Sequence, residues 1–279
     1  MNRVGAIIQA RTSSTRLPRK VLLSLPYGSN ITVLQQVIRR VLKSKKINTV
    51  VIATTTDRED DIIIEIAKRE GVKTFRGSKE DVLSRYFHCA VEFNFDQIVR
   101  ITSDCPCIDW NLIDLAVEEH LKVSADYTRL LNIPHGLNVE VISFWALKKA
   151  FYEATEYFER EHVTPYIYMR CIEKFKINDM YVDYLSEIKD IRITLDTEED
   201  YALLCAIFDF LYYENESFTA DEILKLFKNK PWLSLINKKV IQKKVYYSFE
   251  EELEEAIKIL ELQGLKRIVS ILEKWRENI

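Results

Sequence analysis

Glycine and proline are scarce in this chain, with only six residues of each among 279. Neither of the two common glycine-rich nucleotide motifs, G-x-x-x-x-G-K-[ST] and G-x-G-x-x-G, occurs in it. Any nucleotide site is therefore of another kind. No apolar run is long enough to span a bilayer, and the N-terminus leads into a predicted strand without signal-peptide features. We therefore expect a cytoplasmic protein with no membrane partner.

An excess of charge of one sign is also lacking, because 40 basic residues face 43 acidic ones. This balance argues against a broad nucleic-acid surface, so we expect no nucleic-acid partner, and it leaves room for a basic pocket that binds a small anion. The five cysteines have neither zinc-like nor disulfide-framework spacing. Cys105 and Cys107 have no second pair to complete a metal site, so we expect buried, reduced thiols.

The order of the predicted elements favours an α/β fold. Apolar strands at 6–8, 49–57 and 97–104 alternate with amphipathic helices. This alternation predicts a doubly wound, Rossmann-like sheet, mostly parallel, with helices on both faces. Between residues 125 and 195 the alternation weakens, and we predict strands in ADYTRL, GLNVEVIS and IRITLD.

The last third of the chain is predicted to be almost entirely helical. Thr197 is the predicted N-cap of its first helix. We expect one domain over residues 1–245 and a helical extension over 246–279 that breaks near Gly264. The amphipathic helices of the extension suit packing on the domain or on a second copy, so a homodimer is possible.

The most informative stretch is AIIQARTSSTRLPRKVL, residues 6–22. Here a buried strand runs into a Ser/Thr-rich turn that carries Arg11, Arg16 and Lys20. The three cations follow the C-terminal end of the strand, which is where open α/β sheets bind ligands. This placement predicts a phosphate site. The alternative is a solvated basic turn.

Two aspartates also follow predicted strands. Asp104 ends QIVRITSD just before Pro106, and Asp196 ends IRITLD at the start of a helix. If the two strands are neighbours, the carboxylates meet, and such a pair with substrate phosphates suits Mg²⁺. Asp200, one turn further on, either orients a metal-bound water or stabilises the helix N-terminus, and we favour the second role.

These motifs, in this order over residues 4–245, resemble the cytidylyltransferases that make CMP-activated acidic sugars. The resemblance is strongest to the spore-coat-polysaccharide family and more distant to the enzymes that activate Kdo and sialic acids. It implies a nucleotide-diphospho-sugar transferase fold of the GT-A-like kind, Mg²⁺ on Asp104 and Asp196, and CTP as the nucleotide. The implied reaction transfers CMP to an acidic sugar for surface polysaccharide or glycoconjugate synthesis. Family members carry glycine at the position of Arg19.

The resemblance also implies roles for particular side chains. The hydroxyls of Thr54, Thr55 and Thr56 could form hydrogen bonds with an edge of the base, although strand propensity and capping also account for these threonines. Each histidine taken singly is more often structural. The implied catalytic residues are Arg11, Lys20, Asp104 and Asp196, the nucleotide-binding residues are Arg11, Ser14, Arg16, Lys20, Thr54, Thr55, Arg76 and Thr102, and the sugar-binding residues are His135, Asn138, Glu140, Arg160 and His162.

Two other functions remain open at this point. A GT-A-type glycosyltransferase shares the nucleotide-binding sheet, but it typically holds its metal with an Asp-x-Asp pair, and no two aspartates here are two positions apart. A non-catalytic nucleotide-sugar-binding homologue would not need both Asp104 and Asp196.

Overall fold

A computed structural model describes residues 2–240 and 248–276. Its strands are β1 (Val4–Gln9), β2 (Thr49–Thr55), β3 (Lys73–Gly77), β4 (Gln97–Thr102), β5 (Tyr127–Leu131), β6 (Glu140–Ser143) and β7 (Ile177–Tyr181). They form one seven-stranded sheet in the order β3-β2-β1-β4-β6-β5-β7. The first four are parallel, β6 runs antiparallel to both of its neighbours, and β7 is parallel to β5. The predicted mixed, mostly parallel sheet is confirmed.

Helices cover both faces of this sheet because its inner strands are apolar on both sides. Ile7 and Ile8 of β1 are fully buried in two different cores, one on each face. The helices of this part are α1 (Val33–Val41), α2 (Asp61–Arg69), α3 (Val82–Glu92), α4 (Trp110–Val123), α5 (Phe144–Glu153), α6 (Tyr157–His162), α7 (Glu198–Leu211) and α8 (Ala220–Asn229). One of the two cores includes side chains of α1, α2, α4, α7 and α8, and the other includes side chains of α3 and α5.

One predicted strand is wrong. Residues 191–196 are joined to the rest of residues 2–240 by one isolated bridge, between His135 and Arg192, and not by a strand ladder. The Leu195 N–H donates to the Asp104 carbonyl at 2.8 Å. The segment therefore crosses the end of β4 without entering the sheet. The strand that sequence analysis missed is β7, a short edge strand whose residues are half-buried or exposed.

The predicted start of α7 is confirmed. The Thr197 hydroxyl accepts from the Asp200 N–H, and the Asp200 carboxylate accepts in return from the Thr197 N–H. This reciprocal arrangement is a capping box. It fixes the chain direction directly after Asp196.

The C-terminal residues 241–279 make a second compact unit. Its helices are α9 (Phe249–Leu262) and α10 (Lys266–Arg276), and Gly264 turns the chain between them with a positive φ of 72°. The predicted break near Gly264 is confirmed. Leu253, Ile257 and Val269 are buried in a small core of this unit. The predicted domain boundary at 245 lies in 241–247, outside the described residues.

Two further expectations concern cysteines and membranes. All five cysteines are free thiols, and all but the half-buried Cys205 are buried. Burial raises the pKa of Cys105 and Cys107 to about 12, so both thiols stay protonated. Across the described ranges, no helix has the length and apolar character needed to cross a membrane.

Candidate active site

Lys20 lies between the two predicted aspartates. Its Nζ donates to Asp104 Oδ2 at 2.6 Å and to Asp196 Oδ1 at 2.8 Å. It also donates to the Leu195 carbonyl at 2.7 Å. The lysine side chain is only 12% exposed, so this contact is largely shielded from water. The structure thus brings together three residues from separate motifs, and Lys20 is more than eighty positions away from each aspartate in the sequence.

The electrostatics of this triad keep all three groups charged at neutral pH. Burial alone would raise the pKa of Asp104, but the Lys20 ammonium lowers it to about 2. Burial likewise opposes ionisation of Asp196, yet Lys20 holds its pKa below the usual value. For Lys20 itself burial acts to lower the pKa, and the two carboxylates raise it above normal. Each charge therefore depends on the others.

A buried network behind Asp196 was missed by sequence analysis. Arg192 contacts Asp196, and its Nε donates to Asp200 Oδ1 at 3.0 Å. The fully buried Asp200 also accepts from the Asp196 N–H at 2.9 Å and from Asn237 Nδ2 at 2.8 Å. These contacts support the role we favour for Asp200, which is to stabilise the start of α7. The sequence shows only that Arg192 and Asp200 flank Asp196, since burial and pairing come from the fold.

The loop after β1 that carries Arg11, Arg16 and Lys20, here called the cationic loop, is anchored to the end of β2 by Asp60. Sequence analysis missed this role of Asp60. Its Oδ1 accepts from both the N–H and the hydroxyl of Thr12, each at 2.8 Å. Its Oδ2 accepts from the Thr55 hydroxyl at 2.5 Å. Burial would raise the pKa of Asp60, but these hydrogen bonds lower it, so the anchor is ionised. The Thr55 hydroxyl therefore already has a structural partner, and its nucleotide role stays a prediction.

Arg19 adopts the left-handed conformation, with φ 57° and ψ 23°. Its N–H donates to the Thr12 carbonyl at 2.9 Å within the same loop. A left-handed residue with a Cβ costs roughly 1–2 kcal/mol. This chain therefore keeps a backbone conformation that glycine adopts freely while carrying arginine there.

The other predicted nucleotide residues lie at the ends of β1, β2, β3 and β4. Arg16 pairs with Asp196 at 2.9 Å, while Arg11 is exposed. Thr54 is fully buried, and Thr102 Oγ1 lies 3.1 Å from Cys105 Sγ. In the loop after β1, Ser14 Oγ accepts from the Leu17 N–H at 3.5 Å.

Arg76 is tied to the loop that follows β2. Its guanidinium donates to the Thr55 carbonyl at 2.8 Å, to the Asp57 carbonyl at 2.7 Å and to Asp61 at 2.6 Å. These contacts hold the end of β3 against the end of β2. A contact between Arg76 and a nucleotide remains a prediction.

Among the predicted sugar-binding residues, His135 lies next to Arg192, which in turn contacts Asp196. Its main chain bridges to Arg192, and its N–H donates to the Ile191 carbonyl at 3.0 Å. Burial lowers the pKa of His135, and the Arg192 charge lowers it further, so the imidazole is neutral at pH 7. Asn138 is exposed and its Oδ1 accepts from the Gly136 N–H at 3.0 Å.

The charged ends of two other sugar candidates are engaged by the protein itself. Glu140 pairs with Arg100 and accepts from the Thr164 hydroxyl at 2.8 Å. Arg160 donates to the Phe151 carbonyl at 2.6 Å and pairs with Asp81. His162 ends α6. A sugar contact for these side chains remains a prediction.

The oxygen ligands around Lys20 fit a hard divalent cation only in part. In residues 2–240 and 248–276, no cluster of three or more His, Cys, Asp and Glu side chains could hold a metal ion. Asp104 and Asp196 nevertheless both pair with one cation, the Lys20 ammonium. Two carboxylates that depend on substrate phosphates for the remaining ligands are typical of Mg²⁺ and unlike a closed zinc site.

Cations after β1 and a pair of aspartates beyond the end of β4, on a mixed α/β sheet, define a nucleotidyltransferase-like protein. Comparison with protein families then gives the particular family. Residues 5–255 match the model described as cytidylyltransferase. The chain belongs to the cytidylyltransferase family, and the predicted enzyme class is confirmed.

Individual relatives agree with this assignment. The chain is 34% identical over 236 residues to the spore coat polysaccharide biosynthesis protein SpsF of Bacillus subtilis, covering 83% of this chain and 96% of SpsF. A cytidylyltransferase structure from Leptospira borgpetersenii matches with a TM-score of 0.78 and 31% identity, over 88% of this chain and all of that one. CMP:2-keto-3-deoxy-manno-octonic acid synthetase in complex with CTP shares the fold, with a TM-score of 0.59 and 14% identity over 75% of this chain and 99% of that one.

Proposed function

We propose that this protein transfers CMP from CTP to an acidic sugar and releases pyrophosphate. The observation that carries the proposal is the Lys20 ammonium held between Asp104 and Asp196 beside the cationic loop. The likeness to SpsF supports a place in surface polysaccharide synthesis. The chemistry of the acceptor rests on the family resemblance.

The residues of this chain supply positioning and electrostatics, which dominate phosphoryl transfer. Lys20 contacts both aspartates, Arg16 contacts Asp196, and Arg11 is exposed at the start of the same loop. On binding CTP, these cations pair with the phosphate oxygens that leave as pyrophosphate. They thereby stabilise the negative charge that develops on the leaving group.

Asp104 and Asp196 would hold Mg²⁺ together with the phosphates of CTP. When bound, Mg²⁺ neutralises phosphate charge and lowers the pKa of a hydroxyl that it binds. Arg192 and Asp200 keep Asp196 in place from behind. Because the sugar hydroxyl attacks the α-phosphorus directly, no covalent intermediate on the protein is required.

The first test is an assay of pyrophosphate release with CTP, Mg²⁺ and a panel of sugar acids. Release must depend on both the metal and the sugar. Release of a nucleoside monophosphate or diphosphate from a nucleotide sugar, without pyrophosphate, would instead indicate a glycosyltransferase. Binding of CTP without release for any sugar would favour a non-catalytic homologue.

The second test removes one charge of the acidic pair. We expect Asp104→Asn to lower kcat by at least about 100-fold, because loss of a metal ligand exceeds the 10- to 100-fold effect of groups that only orient ligands. The control is Asp190→Asn, the same substitution at an exposed site, which should leave kcat unchanged. An Asp104→Asn enzyme that keeps most of its activity at saturating Mg²⁺ would contradict the assignment.

A further inference from the structure

The C-terminal unit formed by α9 and α10 buries few of its apolar residues. Within residues 248–276, the buried side chains are those of Leu253, Ile257 and Val269. Three buried side chains stabilise a pair of helices only weakly, because helices in proteins depend mainly on the packing of an amphipathic face. α10 lies wholly beyond residue 255, where the family match ends, so the family does not account for this unit.

A second apolar face of this helix pair is exposed. Ile268, Ile271 and Trp275 of α10 recur at spacings of three and four residues, which places them on one side of the helix. They are 46%, 60% and 46% exposed. Phe249, at the start of α9, is also exposed, and its ring centre lies 5.3 Å from that of Trp275 at the end of α10. The two helices are therefore antiparallel, and these four residues form one exposed apolar patch, here called the hairpin face.

The two helices of the hairpin carry opposite net charges. α9 has six glutamates and one lysine, whereas α10 has four basic residues and one glutamate. An acidic partner would meet like charge on α9, and a basic partner would meet like charge on α10. A second copy of the hairpin offers a basic helix to α9 and an acidic helix to α10, so it complements both.

The same charges distinguish between two ways in which two hairpin faces can meet. A two-fold axis that relates the copies runs either along the helices or across them. An axis along the helices places α9 of each copy on α10 of the other, whereas an axis across them places like helices, and therefore like charges, together. Electrostatics favours the first arrangement, which is an antiparallel four-helix bundle.

We propose that the hairpin face is a dimer interface that binds the same face of a second copy of this chain. The contact buries Ile268, Ile271 and Trp275 between the two hairpins and joins two small cores into one. The proposal is independent of the proposed function, because none of these residues belongs to the candidate active site.

The test measures the mass of the full chain by sedimentation over a range of concentrations. We expect the wild-type protein to form a dimer. Ile268→Glu should raise the dimer Kd at least about 100-fold, because each dimer would then bury two carboxylates without a partner. The helix content of this variant, measured by circular dichroism, should be unchanged, since Ile268 lies outside the small core of the unit.

The matched control is Val91→Glu. Val91 of α3 is an apolar residue with the same 46% exposure as Ile268, and this variant should remain dimeric. Arg267→Glu tests the charge argument and also serves if Ile268→Glu does not fold. It brings a like charge to α9 of the second copy, so it should weaken the dimer about 10-fold at low salt and less at high salt.

A wild-type protein that stays monomeric at every concentration would overturn the proposal and favour packing of the hairpin face on the same chain. Unchanged dimer affinity in Ile268→Glu would also overturn it, because the dimer contact would then lie elsewhere. A dimer that Arg267→Glu strengthens would contradict the pairing of α9 with α10.

Discussion

Arg19 holds a backbone conformation that side chains disfavour, in the loop that leads to Lys20. Its φ of 57° lies in the left-handed region, where a Cβ crowds the neighbouring carbonyl. The family resemblance marks this position as unusual, because it implies glycine there. The structure supplies the physical reason, which is the sign of φ.

We expect Arg19→Gly to raise the free energy of unfolding by about 1 kcal/mol, since it removes the left-handed strain and costs some chain entropy. Urea denaturation would measure the change. Arg19→Ala keeps the Cβ and should give no gain. Equal gains in both variants would show that the arginine charge, and not the backbone, causes the cost.

Single charged residues differ in how far the sequence alone can assign them. Lys20, Asp104 and Asp196 could be selected because each follows an apolar strand or starts a helix. Arg192 and Asp60 could not, because their importance comes from burial and from their partners, which are Asp200 for Arg192 and Thr12 in the loop after β1 for Asp60. A carboxylate that anchors a loop has the same sequence pattern as one in a solvated first turn.

Among the elements, the segment 191–196 was assigned wrongly and still delivers its aspartate to the expected place. Its β-branched residues predict a strand, but the place next to β4 in the sheet is taken by β6. The segment instead crosses beyond β4, held by Leu195 and His135. Alternation of apolar and polar residues indicates an extended segment, but it does not show which other segment pairs with it.

Gly136 permits this crossing. Its φ is +117°, and an added Cβ would lie 2.6 Å from the Ile193 carbonyl carbon. We expect Gly136→Ala to lower the free energy of unfolding by about 3 kcal/mol, through overpacking and backbone strain. It should also lower kcat at least about 10-fold, because the displaced segment carries Asp196. Urea denaturation and the pyrophosphate assay measure the two effects.

Gly71→Ala provides the control for strain alone. Gly71 also has a positive φ, of 70°, but nothing lies within 4 Å of an added Cβ. This variant should lose only about 1 kcal/mol and keep its kcat. Similar losses in both variants would show that contact with Ile193 is not the cause.

Across the whole molecule, stability at acid pH depends on histidine burial as well as on the acidic pair. His120 joins α4 to two strands, since its Nδ1 lies 2.9 Å from Thr128 Oγ1 and its Nε2 lies 2.9 Å from Gln97 Oε1. Burial lowers its pKa to about 4, against an ordinary value of 6.5. The folded protein therefore holds this imidazole neutral through a range in which the unfolded chain protonates it.

Because the unfolded state binds the extra proton, stability falls as the pH decreases from about 6.5 to about 4. The shift predicts a loss of about 3 kcal/mol from His120 over this range. Urea denaturation at several pH values would measure it. In His120→Gln the slope should be much smaller above pH 4.5. An unchanged slope would assign the acid sensitivity to other groups.

The sequence by itself determined the α/β class, the cationic loop after β1, the two aspartates and the cap of α7. These features are local, because hydrophobic periodicity, turn residues and capping act over a few positions of the chain. Tertiary structure alone decided that Lys20 lies between the aspartates, that residues 191–196 stay outside the sheet, and that Asp60 anchors the loop after β1. Such features depend on which distant segments become neighbours and on which charges lose contact with water, and no local pattern encodes either.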